Sequence, residues 1–161
     1  MATLWDALRS GVLEEYRLPD WEVRPKLRPA FLAQELLQWA DSTPELMDNA
    51  KAIGRRLLIE HLAQLFCDFS CSKRPPAGDV RRMIPTKRGV VSVHAPGLRV
   101  YGWSCRPGCL IAITAALETD TKLNRKLNDR KRDHVLAFAR KHGLETTILK
   151  GELYELFPSA S

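Results

Sequence analysis

The sequence predicts an α+β fold: N-terminal helices including an α-hairpin, then a small antiparallel sheet and a C-terminal basic helix. Three observations predict it. Residues 44–69 carry apolar side chains at three- and four-residue spacing, as one long amphipathic helix does. The runs Val90–His94, Leu98–Cys105 and Cys109–Ala116 are rich in β-branched and aromatic residues and are parted by Pro96-Gly97 and Pro107-Gly108. From Lys122 to His142 the chain then gathers eight Lys and Arg against Asp129 and Asp133. With 161 residues, 45% hydrophobic and 27% charged, a single domain over 1–161 is expected. It divides into an N-terminal helix and Pro-rich extension (1–29), a helical hairpin (30–70), and the sheet with the basic helix (80–161).

Local chemistry supplies each element. Thr3 and Asp6 form a capping-box pattern ahead of a short helix with Leu4, Leu8 and Val12 on one stripe. Pro19, Pro25 and Pro29 keep the next stretch extended, since each proline lacks an amide donor and disfavours helix before it. Pro29 suits the first turn of a second helix with Phe31, Leu32, Leu36 and Trp39 on its apolar side, ending near Ala40. Ser42-Thr43-Pro44-Glu45 reads as the start of a third helix running to about Phe69, so that helices two and three pair antiparallel. Lys73-Arg74-Pro75-Pro76-Ala77-Gly78 stops it.

In each Pro-Gly pair, proline then glycine fit the two central positions of a type II turn. Alternation along the middle strand sets Arg99, Tyr101, Trp103 and Cys105 on one face, and Leu98, Val100, Gly102 and Ser104 on the other. The closing helix is capped by Asn128, buries Val135, Leu136, Phe138 and Ala139, and ends at Gly143. Thr146–Leu149 follows as an edge strand, and Leu153–Phe157 as a short helix.

A net charge of +6 and a pI near 9.4 favour an anionic partner, and the clustering of the cations points to RNA or DNA phosphate. No apolar run approaches the roughly 18 residues of a membrane helix, and the opening residues carry acids where a secretory signal needs a cationic head, so no membrane partner and a cytoplasmic location are expected. Cys67, Cys71, Cys105 and Cys109 form two C-x3-C pairs. That spacing differs from the usual zinc knuckle, so buried thiols and no metal are expected. No phosphate-binding Gly-rich loop, Ser-centred elbow or His-Glu metal helix occurs, and no cofactor is expected. Arg56 and His61 have the Arg-x4-His form of helical HEPN ribonucleases, but inside the expected amphipathic helix.

The order of helix hairpin, basic lead-in (Arg81, Arg82, Lys87, Arg88), three antiparallel strands and basic helix resembles the RelE/ParE/HigB family of toxins over roughly residues 44–144. The sharpest local element is Gly97-Leu98-Arg99-Val100-Tyr101, similar to the Gly-Tyr-Arg-aliphatic segment of that family. The resemblance implies a toxin-like RNA-binding protein, a metal-independent endoribonuclease of a toxin–antitoxin system acting either on free RNA or on ribosome-bound messenger RNA, with an antitoxin as a further partner. By it, Arg99 would steady the scissile phosphate, Tyr101 would join the catalytic group, and Tyr101 and Trp103 would stack on bases. Where the RNA-cleaving members carry lysines on the first strand of this sheet, this chain has Val91, Ser92, Val93 and His94. His94, whose ordinary pKa suits proton transfer near neutrality, is then the candidate general base. Lys87, Arg88, Lys122, Arg125, Lys126, Arg130, Lys131 and Arg132 are the candidate phosphate contacts. The alternative is a non-catalytic module binding nucleic acid or protein: an enzyme should gather basic groups around His94 in a cleft, a binder should show a flat or convex basic surface.

Overall fold

A six-stranded mixed sheet organises the computed structural model, which describes residues 3–73 and 80–159. In chain order the strands are β1 (Leu13–Glu15), β2 (Ala30–Ala33), β3 (Val80–Arg82), β4 (Val90–Ala95), β5 (Leu98–Trp103) and β6 (Leu110–Leu117). The helices are α1 (Leu4–Arg9), α2 (Gln34–Asp41), α3 (Leu58–Cys71), α4 (Glu118–Leu123), α5 (Leu127–Lys141) and α6 (Leu153–Leu156). Across the sheet the order is β1-β2-β6-β5-β4-β3, antiparallel throughout except that β2 runs parallel to β6.

The meander β4-β5-β6 is the one read from sequence, and Gly97 takes the left-handed conformation (φ 74°) that its turn requires. The expected small antiparallel sheet of RelE-like layout is overturned by the three further strands and the parallel pairing. Ala30–Ala33, expected as the first turn of a helix, is instead a strand with all four residues buried. The reason is two-sided burial. Ala30 and Leu32 enter one core, Phe31 and Ala33 the other, an alternation that a helix cannot supply.

The expected long helix is also shortened, and with it the helical hairpin disappears. Residues 44–57 form two short 3-10 turns and an irregular loop in which Gly54 (φ 59°) and Arg55 (φ 66°) are both left-handed, so α3 begins only at Leu58. Thr146–Leu149 is not a strand; Glu145–Thr147 is a 3-10 turn. The Pro75–Gly78 breaker lies outside the described residues. The capping box at Thr3 forms, with Thr3 Oγ1 accepting from the Asp6 amide at 3.1 Å and Asp6 Oδ2 from the Thr3 amide at 2.9 Å.

Helices cover both faces of the sheet. Against one pack α2, α3 and α6, burying Val91, Val93, Leu98, Val100, Leu110 and Ala112. Against the other pack α1 and α5, burying Val90, Tyr101, Trp103, Ile111 and Ile113. Between Tyr101 and Gly102 the β5–β6 register slips by one residue, a bulge that lets Ile113 join the second core. Cys105 and Cys109 are joined by a disulfide across the β5–β6 turn, so the two C-x3-C pairs serve separate ends. Cys67 and Cys71 are free and buried, one turn apart on α3. Among the described residues no helix is long and apolar enough to cross a membrane.

Candidate functional site

On the α5 face, strand register lines up three cross-strand rows: Val90–Trp103–Ile111, Ser92–Tyr101–Thr114 and His94–Arg99–Ala116. The first is apolar, the second mixed and the third largely polar. Where α5 begins, the polar rows open into a cleft of about 330 Å³ lined by Arg81, Arg82, Met83, Ile84, Ser92, His94, Arg99, Asn128 and Asp129.

The side chains in the cleft are held by specific bonds. Ser92 Oγ lies 3.0 Å from His94 Nε2. The Tyr101 hydroxyl donates to Asn128 Oδ1 at 2.5 Å, tying the middle strand to the first turn of α5. Burial pushes the Tyr101 phenol up to about 12, against a smaller opposing effect of neighbouring Arg99. Arg82 pairs with Glu152 at 2.9 Å, and Asp129 with Arg132 at 3.2 Å. Glu118 sits below the usual carboxylate range, chiefly through its hydrogen bond from Lys122, with Arg99 adding a weaker attraction. Arg99 Nε is buried and, among the described residues, has no hydrogen-bond acceptor. A buried donor left unpaired is costly unless something fills the place of its acceptor.

The structure therefore brings together His94, Arg99 and, through Asn128, Tyr101. Asn128, read from sequence as a helix cap, lies inside α5 as the partner of Tyr101; the N-cap is Lys126, without a side-chain bond. Tyr101 and Trp103, both expected to stack on bases, are fully buried, Trp103 with its indole N–H donating to Thr147 Oγ1 at 3.1 Å, so the sheet core holds both rings out of reach of a ligand.

The expected phosphate contacts divide. Lys87 and Arg88 stand apart from the cleft, lining a recess of about 320 Å³ with Arg140, Lys150, Leu136, Glu145 and Ile148. Lys122 pairs with Glu118 at 2.8 Å, and Arg132 with Asp129 and Asp133 while also donating to the Ile84 carbonyl at 2.6 Å. Lys131 is half-buried, its Nζ 3.3 Å from Thr114 Oγ1, and burial lowers its pKa. Arg125, Lys126 and Arg130 are exposed. The Arg56–His61 pair does not assemble as a helical motif, because Arg56 precedes α3 and His61 Nε2 is bound to the Ile53 carbonyl at 2.8 Å.

Sequence reasoning missed Ser92 and Asn128 as parts of the site. Ser92 was legible, since strand alternation sets it on the same face as His94; Asn128 was not, because its role depends on where α5 crosses the sheet. No family model, no curated protein and no solved structure matches this chain.

Proposed function

We propose that the cleft binds an RNA phosphodiester and that the protein is a metal-independent endoribonuclease. The observation that carries the reading is the buried, acceptor-free Nε of Arg99 beside His94 in a cleft that Arg81 and Arg82 also line. A non-bridging phosphate oxygen supplies the acceptor Arg99 lacks, and its charge is matched by the neighbouring guanidinium groups. With cations outnumbering Asp129, the lining favours an anion over a metal ion.

His94 then takes the proton of a ribose 2′-hydroxyl as that oxygen attacks phosphorus, with the Ser92 hydroxyl orienting the ring. The P–O5′ bond breaks, leaving a 2′,3′-cyclic phosphate, and the departing 5′-oxygen takes a proton from solvent. Arg99 stabilises the charge that builds on the phosphorane.

The test compares RNA cleavage and RNA binding, with EDTA present, for the wild type, Arg99→Ala and His94→Ala. Each substitution should lower cleavage by about 10²-fold or more. Binding should weaken far less for His94→Ala, which moves a proton rather than holding the phosphate. Growth arrest on induced expression, relieved by Arg99→Ala, is the cellular counterpart. A wild type that cleaves no RNA, with or without ribosomes, yet binds it through Arg99 would leave the non-catalytic module as the function.

A further inference from the structure

Away from the cleft, the segment between β1 and β2 carries Glu22 and Arg24 across the Cys67–Cys71 face of α3. The four-residue spacing puts both thiols on one side of the helix, and both are buried. Glu22 reaches them, with Cys67 Sγ donating to Glu22 Oε2 at 2.9 Å, and the Glu22 side chain is only 5% exposed. One donor atom from each of Glu22, Cys67 and Cys71 lies within 4.8 Å of the other two.

We propose that Glu22, Cys67 and Cys71 form a binding site for a thiolate-preferring divalent cation of the zinc class, with solvent in the fourth position. Zinc bonds of about 2.3 Å to sulfur and 2.0–2.2 Å to oxygen put tetrahedral donor atoms roughly 3.5–3.8 Å apart, so the three atoms need only small side-chain shifts to close on an ion. Glu22 Oε2 faces the thiols, while Oε1 accepts from the Arg24 backbone amide at 2.8 Å and from Arg24 Nε at 3.0 Å. Arg24 also reaches Asp68 at 2.9 Å and lies 3.8 Å from Cys67 Sγ.

Arg24 thus stands behind the site rather than in it, fixing the carboxylate as outer partners of metal ligands do. Charge nearly balances as well. Two thiolates, the Glu22 carboxylate and Asp68 bring four negative charges against three positive from a divalent ion and Arg24, and the one left over falls to the half-exposed Asp68. Loading would pin the 17–29 segment to α3. That segment precedes β2, so the ion would reinforce the parallel pairing of β2 with β6.

Cobalt(II) titration of the full-length protein under argon tests this, because cobalt thiolates absorb in the near ultraviolet. The expected result is one ion per chain, a thiolate-to-cobalt charge-transfer band bleached by zinc, and tryptic cleavage at Arg17 and Lys26 slowed by zinc. Cys67→Ser and Cys71→Ser should each abolish the band, and Glu22→Gln should weaken binding at least about tenfold. Cys105→Ser with Cys109→Ser should leave the band intact. Glu22 lies in a loop, so its variant keeps the test open if a serine variant fails to fold by circular dichroism. No band in the wild type, a band surviving in Cys67→Ser, unchanged affinity in Glu22→Gln, or a native Cys67–Cys71 disulfide in thiol counting would each overturn the proposal.

Discussion

Tyr101→Phe separates a side chain that positions the cleft from one that takes part in its chemistry. Tyr101 is fully buried, and its hydroxyl donates to Asn128 Oδ1 at 2.5 Å beside Arg99. Phenylalanine keeps the ring and its packing and removes only that bond, which is worth about 0.5–1.5 kcal/mol net. Asn128 is half-buried at the cleft, so water can replace the lost donor, and the expected cost is about 1 kcal/mol. In a chain of this size that lowers Tm by about 2–4 °C. If the hydroxyl only fixes the start of α5 over the sheet, cleavage should fall less than about tenfold, against about 10²-fold for Arg99→Ala. Thermal or urea unfolding gives the first number and single-turnover RNA cleavage the second. A Tyr101→Phe enzyme as impaired as Arg99→Ala at unchanged stability would place the phenol among the reacting groups; a loss above about 3 kcal/mol would show that the bond organises more than one contact.

The phenol also predicts a pH dependence. Its folded pKa, about 12, lies above the ordinary 10.0, so the neutral form stabilises the fold; that contribution is whole below pH 10 and is lost between pH 10 and about 12. Tm should fall over that window less steeply in Tyr101→Phe, and parallel curves would refute the assignment. At Gly102 a Cβ would lie 1.8 Å from the Ile111 carbonyl oxygen, a backbone atom that cannot turn aside, so Gly102→Ala should cost about 3 kcal/mol or more in urea unfolding. A change within about 0.5 kcal/mol would contradict the close β5–β6 approach. Arg28, 2% exposed, donates to the carbonyls of Ser72, Lys73 and Pro158 and so ties the end of α3 to the C-terminal residues. Arg28→Ala should cost about 3 kcal/mol, with little rescue by Arg28→Lys because lysine lacks the forked donors; stability equal to wild type would refute the clamp. If Arg125, Lys126 and Arg130 contact single-stranded RNA, replacing all three by Ser should flatten the log–log salt dependence of binding by about 2. An unchanged slope would make them a solvated face.

The meander and the closing helix were legible in the sequence because their signals are local. β-Branched runs, two Pro-Gly turns and an amphipathic helix ending at a glycine each act within a few residues, and the strand bounds moved by no more than two. β1, β2 and β3 were not legible. Three or four residues are too few for a period of two to declare itself, and Ala30–Ala33 is a strand only because β6 lies beside it. The long third helix failed at Gly54-Arg55, where two left-handed residues interrupt an apolar spacing that otherwise continues. Alternation put Arg99 and Tyr101 on one face of β5, and of the two only Arg99, with His94 from β4, lines the cleft. The Glu22–Cys67–Cys71 cluster was invisible because Glu22 is 45 residues before Cys67 and meets it only when the Pro-rich segment crosses α3.

The basic helix carries a similar lesson about charge. The surplus of cations over Lys122–His142 points to a surface for phosphate, yet Lys122 on α4 and Arg132 on α5 are paired with acids and Lys131 is turned toward the sheet. What α5 gives the cleft is placement. Val135, Phe138 and Ala139 seat its later turns on the apolar part of the sheet, and this leaves its first turn over the polar rows, where Asn128 meets Tyr101. The amide ends of a 15-residue helix then add partial positive charge near Arg99, a field that would favour an anion if the cleft binds one. Reversing α5 would keep every cation of the run and remove that field, so its direction across the sheet matters more to the cleft than the number of its lysines and arginines.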